Sequence, residues 1–276
     1  MNHISAPMLS LLLGLLAVGG FAPFSLFPLP VVVLAILFWQ WQHTSGKWAV
    51  ARLGFAFGLG LFGAGVGWIF VAMHDYGDMS FVAALLATTL FVAFYALFPA
   101  LVAYLQTKLP APTWVRWVLY MPALWVLLEW LRGLIFTGLP WLALGYSQAA
   151  ASPLAGYAPL FGVYGVSLAV AVSAGLLANL YQARWSKSGR LALLALVLLW
   201  GAGAVLRTVE WTQVTGGPFQ VSLVQGNIPQ ELKFREEKLV DTLETYRRLV
   251  LQSSARLIVL PETALPMLRH ELPPTY

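Results

Sequence analysis

Three groups of residues have the types and spacing to do chemistry. The first is Glu262, set in the run Leu260-Pro261-Glu262-Thr263-Ala264-Leu265-Pro266 directly after the apolar stretch Leu257-Ile258-Val259. The carboxyl ends of sheet strands are where open α/β folds place their sites, and two flanking prolines stiffen the loop. Glu262 is therefore either a general base, if partly desolvated, or an ordinary loop carboxylate. The second group is Glu129 and Arg132, spaced i, i+3 at the end of an apolar run so that they can pair on one helix face. Carboxylates inside a membrane are functional hypotheses by default, and two readings stand: a pair that satisfies itself at the interface, or a holder for a lipid headgroup. The third group is His74, Asp75 and Asp78 in one short loop, which either bind a metal or simply solvate the turn. The chain contains no cysteine, which rules out a disulfide, a thiolate metal site or a thiol nucleophile within it.

The elements that position these groups sit in an unusual composition. Of the 276 residues 59% are hydrophobic and only 10% charged, against about a quarter charged in soluble domains. Lipid is the expected solvent. Residues 1–206 hold 8 Lys/Arg and 3 Asp/Glu, whereas residues 207–276 hold 8 and 8, so the character of the chain changes at Arg207. The net charge of +5 is not a nucleic-acid signal, because the basic residues of the first part stand singly between apolar runs.

A membrane span needs about 20 apolar residues, and seven stretches qualify or come close: Ala6 to Ala22, Phe27 to Trp41, Leu53 to Met73, Phe81 to Leu105, Val115 to Leu131, Pro159 to Ala183 and Leu191 to Leu206. With a cytoplasmic N-terminus, the inner loops carry Lys47, Arg52, Lys108, Arg116, Arg184, Lys187 and Arg190, and the outer loops only Arg132. That bias places everything after residue 207 outside the cytoplasm, on the periplasmic side of a bacterial inner membrane. Trp39, Trp41, Trp48, Trp114, Trp117, Trp130, Trp185 and Trp211 lie near span ends, as interfacial belts do. The GxGxxG pattern at Gly58, Gly60 and Gly63 lies inside a span with no strand before it, so it is read with Gly54 and Gly67 as close helix packing rather than dinucleotide binding. The uncharged stretch from Gly133 to Tyr157, rich in Gly, Pro and aromatics, is placed at the outer interface.

After a linker over 208–217, residues 218–276 change period. Phe219 to Gln225 alternates as a strand, ended by Gly226-Asn227-Ile228-Pro229; Glu236 and Glu237 open a helix with Leu239, Leu243, Tyr246 and Val250 on one face; and Leu257 to Leu260 is a second strand delivering Glu262. This is a β-α-β unit with a carboxylate at the strand tip.

Five blocks, LLEWLRG at 127–133, TGLPWLALGYSQ at 137–148, PLAGYAPLFGVYGVS at 153–167, VQGNIPQ at 224–230 and LPETALP at 260–266, resemble the bacterial apolipoprotein N-acyltransferase family in order and context. The resemblance implies a polytopic α-helical membrane domain over 1–207, followed by the first β-α-β unit of a nitrilase-like (carbon-nitrogen hydrolase) α-β-β-α sandwich on the periplasmic side. It implies ping-pong acyl transfer by a Glu-Lys-Cys triad, from a phospholipid donor to the N-terminal cysteine of an apolipoprotein, with no metal and no cofactor. On this resemblance Glu262 corresponds to the general base. Phe234 stands where the family usually has Trp, which keeps apolar stacking against substrate and gives up an indole hydrogen bond. Arg132, Glu129, Trp141 and Tyr146 are the candidates for lining the substrate entrance.

The triad's Lys and Cys have no counterpart in these residues, so the chain is expected to be a fragment or an inactive copy. Two other classes stay in view. A transporter would account for the glycine-bearing spans but not for the β-α-β segment, and a non-catalytic membrane scaffold becomes the leading reading if the chain is natively short.

Overall fold

The computed structural model describes residues 5–149, 151–184, 186–268 and 270. Its chain separates into two compact units, Met1–Trp211 and Thr212–Tyr276. In the first, all seven apolar stretches are helical. They form α1 (Ala6–Ala17), α2 (Pro28–Gln42), α3 (Lys47–Gly65), α4 (Trp68–His74), α5 (Phe81–Gln106), α6 (Thr113–Val115), α7 (Met121–Arg132), α8 (Ala158–Ala183) and α9 (Lys187–Leu206). Prolines start α1, α2, α7 and α8, where the missing N–H has no helical partner in any case. Ser80 and Ser186 cap α5 and α9 through their hydroxyls.

Among the described residues four helical stretches are long and apolar enough to cross a membrane: Lys47–Gly65, Phe81–Gln106, Pro153–Ala183 and Lys187–Leu206. The seven apolar stretches expected as spans differ in helix length and continuity. Ala6–Gly20 and Pro28–Gln42 are shorter, because Gly19, Gly20 and Pro23 break the chain between them. The third stretch is not one helix: α3 stops at Gly65, Val66 leaves helical geometry at φ −125, and α4 restarts at Trp68. In the fifth, α6 and α7 are joined by a π-helical segment, Arg116–Tyr120. Along α5 the residues Val82, Leu86 and Leu90 are exposed, an apolar face that suits lipid and not water.

α3 is the hub, packed against α5 on one side and α1 on the other, while α8 packs on α2, α7 and α9. The glycines explain how α3 approaches both neighbours. A Cβ on Gly58 would lie 2.5 Å from Ala96 Cα in α5, and one on Gly60 would lie 2.1 Å from the Leu11 carbonyl oxygen in α1. Close helix packing is thus what this pattern encodes, although Gly63 has no such tight neighbour. The core is aromatic where α2, α3 and α7 meet, with the Trp125 ring 6.3 Å from Phe38 and 5.9 Å from Phe57. Trp48, Trp114, Trp130 and Trp211 are exposed near helix ends as a belt requires, but Trp41 and Trp117 are buried. Trp117 donates to the Phe38 carbonyl at 3.3 Å. Trp185 lies outside the described residues.

The second unit holds β1 (Val221–Leu223), α10 (Glu236–Leu251) and β2 (Leu257–Val259), with the strands paired in parallel, Val221 opposite Leu257 and Leu223 opposite Val259. The strands are shorter than the alternation suggested. α10 buries Leu243 and Tyr246, and Gly226 packs so closely on the Tyr246 ring that a Cβ would stand 2.7 Å from it. Ser222 is half-buried, while Val221, Leu223, Leu257 and Val259 are exposed and leave an apolar sheet face bare among the described residues.

Candidate functional site

Glu129 and Arg132 end α7 and are almost completely buried, at 5% and 3% exposure. They share a helix face, yet no ion pair within 4.0 Å joins them. The expected pairing is replaced by something else, because the loop after α7 folds back over that face and brings its own backbone groups closer. Glu129 Oε1 accepts from the Leu144 backbone N–H at 2.8 Å and from Trp125 Nε1 at 3.2 Å. Arg132 Nη1 donates to the Leu139 carbonyl at 3.0 Å and also to the Trp141 carbonyl. The guanidinium carbon sits 5.1 Å from the centre of the Phe62 ring in α3, a cation–π contact in a dry setting. A charged group costs much to bury unless it is fully bonded, and here the loop backbone does the bonding.

The loop needs that hold. Phe136, Thr137, Gly138 and Leu142 all have positive φ, at 52, 74, 80 and 58, a region most side chains avoid. Gly138 is compelled as well by space, since a Cβ there would lie 2.0 Å from the Gly133 carbonyl oxygen. Further along, Gly145 N–H donates to Ser167 Oγ in α8 at 2.8 Å, and Gln148 Nε2 donates to the Phe27 carbonyl at 3.0 Å. The loop is therefore tied to α7, α8 and the start of α2.

What this fixes in place is an aromatic rim. Trp141 and Tyr146, each 51% exposed, border a groove of about 550 Å³ together with Phe21, Phe24 and Gly65. Trp68 supports Trp141 with ring centres 5.7 Å apart. Leu142 forms a wall shared with a small cavity of about 20 Å³ beside Glu129 and Arg132, room for about one water. The two charged residues thus lie behind the groove while the two aromatics lie on it. The groove's size and apolar lining suit a hydrocarbon chain.

The remaining expectations separate from this cluster. His74 hydrogen-bonds through Nδ1 to the Met79 carbonyl at 2.8 Å and packs on Phe70 and Phe81; among the described residues no three potential metal ligands come together. In the second unit, Glu262 follows β2 at the carboxyl end of the strand, in a turn closed by Ala264 N–H to the Pro261 carbonyl at 3.3 Å and with Thr263 at φ 59. Its side chain is exposed, not desolvated. Phe234 is 71% exposed. Sequence reasoning missed that the partners of Glu129 and Arg132 are backbone atoms, which residue letters do not display.

Comparison with known proteins adds to the geometry. The family described as "Apolipoprotein N-acyltransferase N-terminal domain" matches residues 13–176. Among curated relatives, proteins named apolipoprotein N-acyltransferase are 46% identical in Nitrosomonas europaea over 264 residues, covering 96% of this chain and 52% of the relative. The protein of that name in Chromobacterium violaceum is 43% identical over 266 residues, 96% of this chain and 51% of the relative. In Methylococcus capsulatus the figures are 42% over 265 residues, 95% and 52%. The chain spans about half the length of these relatives.

Proposed function

We propose, from the premise that the chain belongs to the apolipoprotein N-acyltransferase family, that it supplies the membrane bundle and the leading part of the catalytic domain for phospholipid-dependent N-acylation of apolipoproteins. The observation that carries this reading is the aromatic-rimmed groove. It offers an acyl chain an apolar surface at one end of the bundle, where a lipid-anchored donor and acceptor arrive by lateral diffusion. Trp141 and Tyr146 touch the chain, and Glu129 and Arg132 act through the loop they hold. Within the second unit, the exposed Phe234 is the candidate for apolar stacking on substrate.

The second unit is the first β-α-β layer of a nitrilase-like α-β-β-α sandwich; the bare apolar face of β1 and β2 supports this, since such a face requires a covering layer. Glu262 is the general base. It takes the Sγ proton of a cysteine, the thiolate attacks a phospholipid ester carbonyl, and a lysine stabilises the oxyanion. Collapse releases a lysophospholipid alkoxide, which recovers the proton from Glu262 and leaves a thioester. The α-amine of the diacylglyceryl-cysteine then attacks the thioester, loses its proton to Glu262 and forms the amide, while the thiolate leaves and is reprotonated. No step needs a metal or a diffusible cofactor.

No cysteine occurs among the 276 residues, so these residues alone form no thioester. Purified chain given phospholipid and a diacylated lipopeptide should yield no triacylated product, and turnover would overturn this assignment of roles. Joined to a thiol-bearing remainder, Glu262→Gln should lower turnover by about 10²–10⁴-fold; unchanged activity would remove Glu262 as the base. A second reading, a non-catalytic membrane scaffold, gains if a longer form carrying the thiol is inert.

For orientation, the charge bias supports a multi-pass inner-membrane protein with a cytoplasmic N-terminus and residues after 207 in the periplasm. The cysteine-free background makes this simple to test. Gly216→Cys should react with a membrane-impermeant maleimide in spheroplasts and Thr107→Cys should not; the reverse pattern would invert the topology.

A further inference from the structure

Opposite the aromatic loop, the other end of the bundle carries a second recess. α3 links the two, since Gly65 borders the groove and Lys47 the recess, about 27 Å apart along the helix at 1.5 Å per residue. The recess has a volume of about 370 Å³, and its polar lining includes Trp41, Gln42, Lys47, Gln106, Lys108 and Arg116. Three cations line it and no carboxylate does. The carboxylates of residues 1–206 are Asp75, Asp78 and Glu129, which lie before α5 begins and where α7 ends, away from this end.

Four buried polar atoms here lack partners: Trp41 Nε1, Arg116 Nε, Gln42 Oε1 and Gln106 Oε1. Trp41 and Gln106 are each 1% exposed. Buried donors and acceptors in folded proteins nearly always find partners, so a cluster of this kind calls for an explanation. The nitrogen ends of both glutamine amides are occupied, Gln42 on Thr113 Oγ1 at 3.3 Å and Gln106 on the Ala103 carbonyl at 3.2 Å, which leaves their oxygens as acceptors. α3 also begins at this recess, and its N-cap residue Gly46 has no side-chain cap, so the first N–H groups of the helix are open to an anion. Arg116 starts the π-helical segment, a distortion common at functional sites.

We propose that this recess binds a phosphate ester, the phosphate on Arg116, Trp41 Nε1, Lys47 and Lys108, and a hydroxyl or amine of the esterified group on the carbonyl oxygens of Gln42 and Gln106. A lipid headgroup and a soluble phosphate ester share that chemistry. Basic pockets between membrane helices hold anionic headgroups, and the exposed Trp48 and Trp114 beside this end belong to an interface. The site is separate from the acyl-chain groove, and its failure or success leaves the acyltransfer reading untouched.

The test uses the purified full chain in detergent, with retained lipid read by native mass spectrometry. Dioleoylphosphatidylglycerol, which has hydroxyl donors, should be retained at least tenfold better than dioleoylphosphatidylcholine, whose headgroup has none. Arg116→Gln and Gln106→Leu should each lose that retention about tenfold. The double change of the exposed Lys47 and Lys108 to Ala should do the same without disturbing a buried group, and Lys187→Ala, at the same end outside the recess, should not. Displacement of the lipid by millimolar glycerol 3-phosphate or inorganic phosphate assigns the site to a soluble ester; resistance to both assigns it to a headgroup. Equal retention by wild type, Arg116→Gln and the double lysine variant, or no preference between the two lipids and no binding of either soluble phosphate, overturns the proposal.

Discussion

The two ends of the helical bundle handle buried polar groups in opposite ways. At the loop end, Arg132 Nη1 and Trp125 Nε1 have acceptors, and the buried atoms left without partners, Glu129 Oε2 and Gln148 Oε1, are acceptors only. At the other end the unpartnered atoms include two donors, Trp41 Nε1 and Arg116 Nε, beside two lysines. Trp39 Nε1 is unpartnered as well, but it borders a different, apolar recess with Tyr181. Charges of the same rarity thus serve two purposes. One set is consumed in holding the protein's own backbone, and the other stays available for something that is not protein.

The largest effect expected from breaking this contrast is Arg132→Met. It strands the carbonyls of Leu139 and Trp141 and removes the charge that stabilises the loop, at a cost of about 3–5 kcal/mol. Thermal unfolding in detergent should shift down sharply, with new protease cleavage within residues 133–142. Gly138→Ala comes next, about 1–3 kcal/mol from its positive φ and its contact with Gly133, read in the same assay. Added phosphatidylglycerol should raise the melting temperature of wild type and of Arg132→Met alike, but not that of Arg116→Gln, which separates a ligand site from a structural clamp. Trp141→Ala should leave the melting temperature nearly unchanged, because half the ring is exposed, and should act on acyl-donor affinity instead. Smallest is Lys238→Met in α10. The hydrogen bond that Lys238 Nζ donates to Asp241 at 2.9 Å raises the Lys238 pKa above its ordinary value, so its stabilisation is full below its unfolded value and fades as pH rises through the folded one. The pair is fully solvated, and no change in melting should be measurable near neutral pH.

Most of the helical bundle was legible because hydropathy reports which residues can face lipid. α5, α8 and α9 lie within a few residues of where their apolar runs place them. The break between α3 and α4 was hidden, since Gly65, Val66 and Gly67 are as compatible with a packed helix as with its end. Leu239, Leu243, Tyr246 and Val250 correctly marked the inner face of α10, whereas the strands shortened because hydrogen-bonded pairing, not alternation, sets their length. Glu262 was legible as a position after a strand, but not its exposure. The basic recess was illegible for another reason. Gln42, Gln106 and Arg116 come from three separated span ends, where a polar residue looks like ordinary solvation until the helices are assembled.

The way Glu129 and Arg132 are bonded also sets an order for the protein's birth. Each charge resists entering a bilayer by up to about 2.5–3.5 kcal/mol when its helix is presented alone. The groups that relieve them, at Leu139, Trp141 and Leu144, are synthesised later in the same polypeptide. α7 is therefore expected to gain its full stability as a membrane helix only once the loop that follows it has been synthesised and folded back onto Glu129 and Arg132.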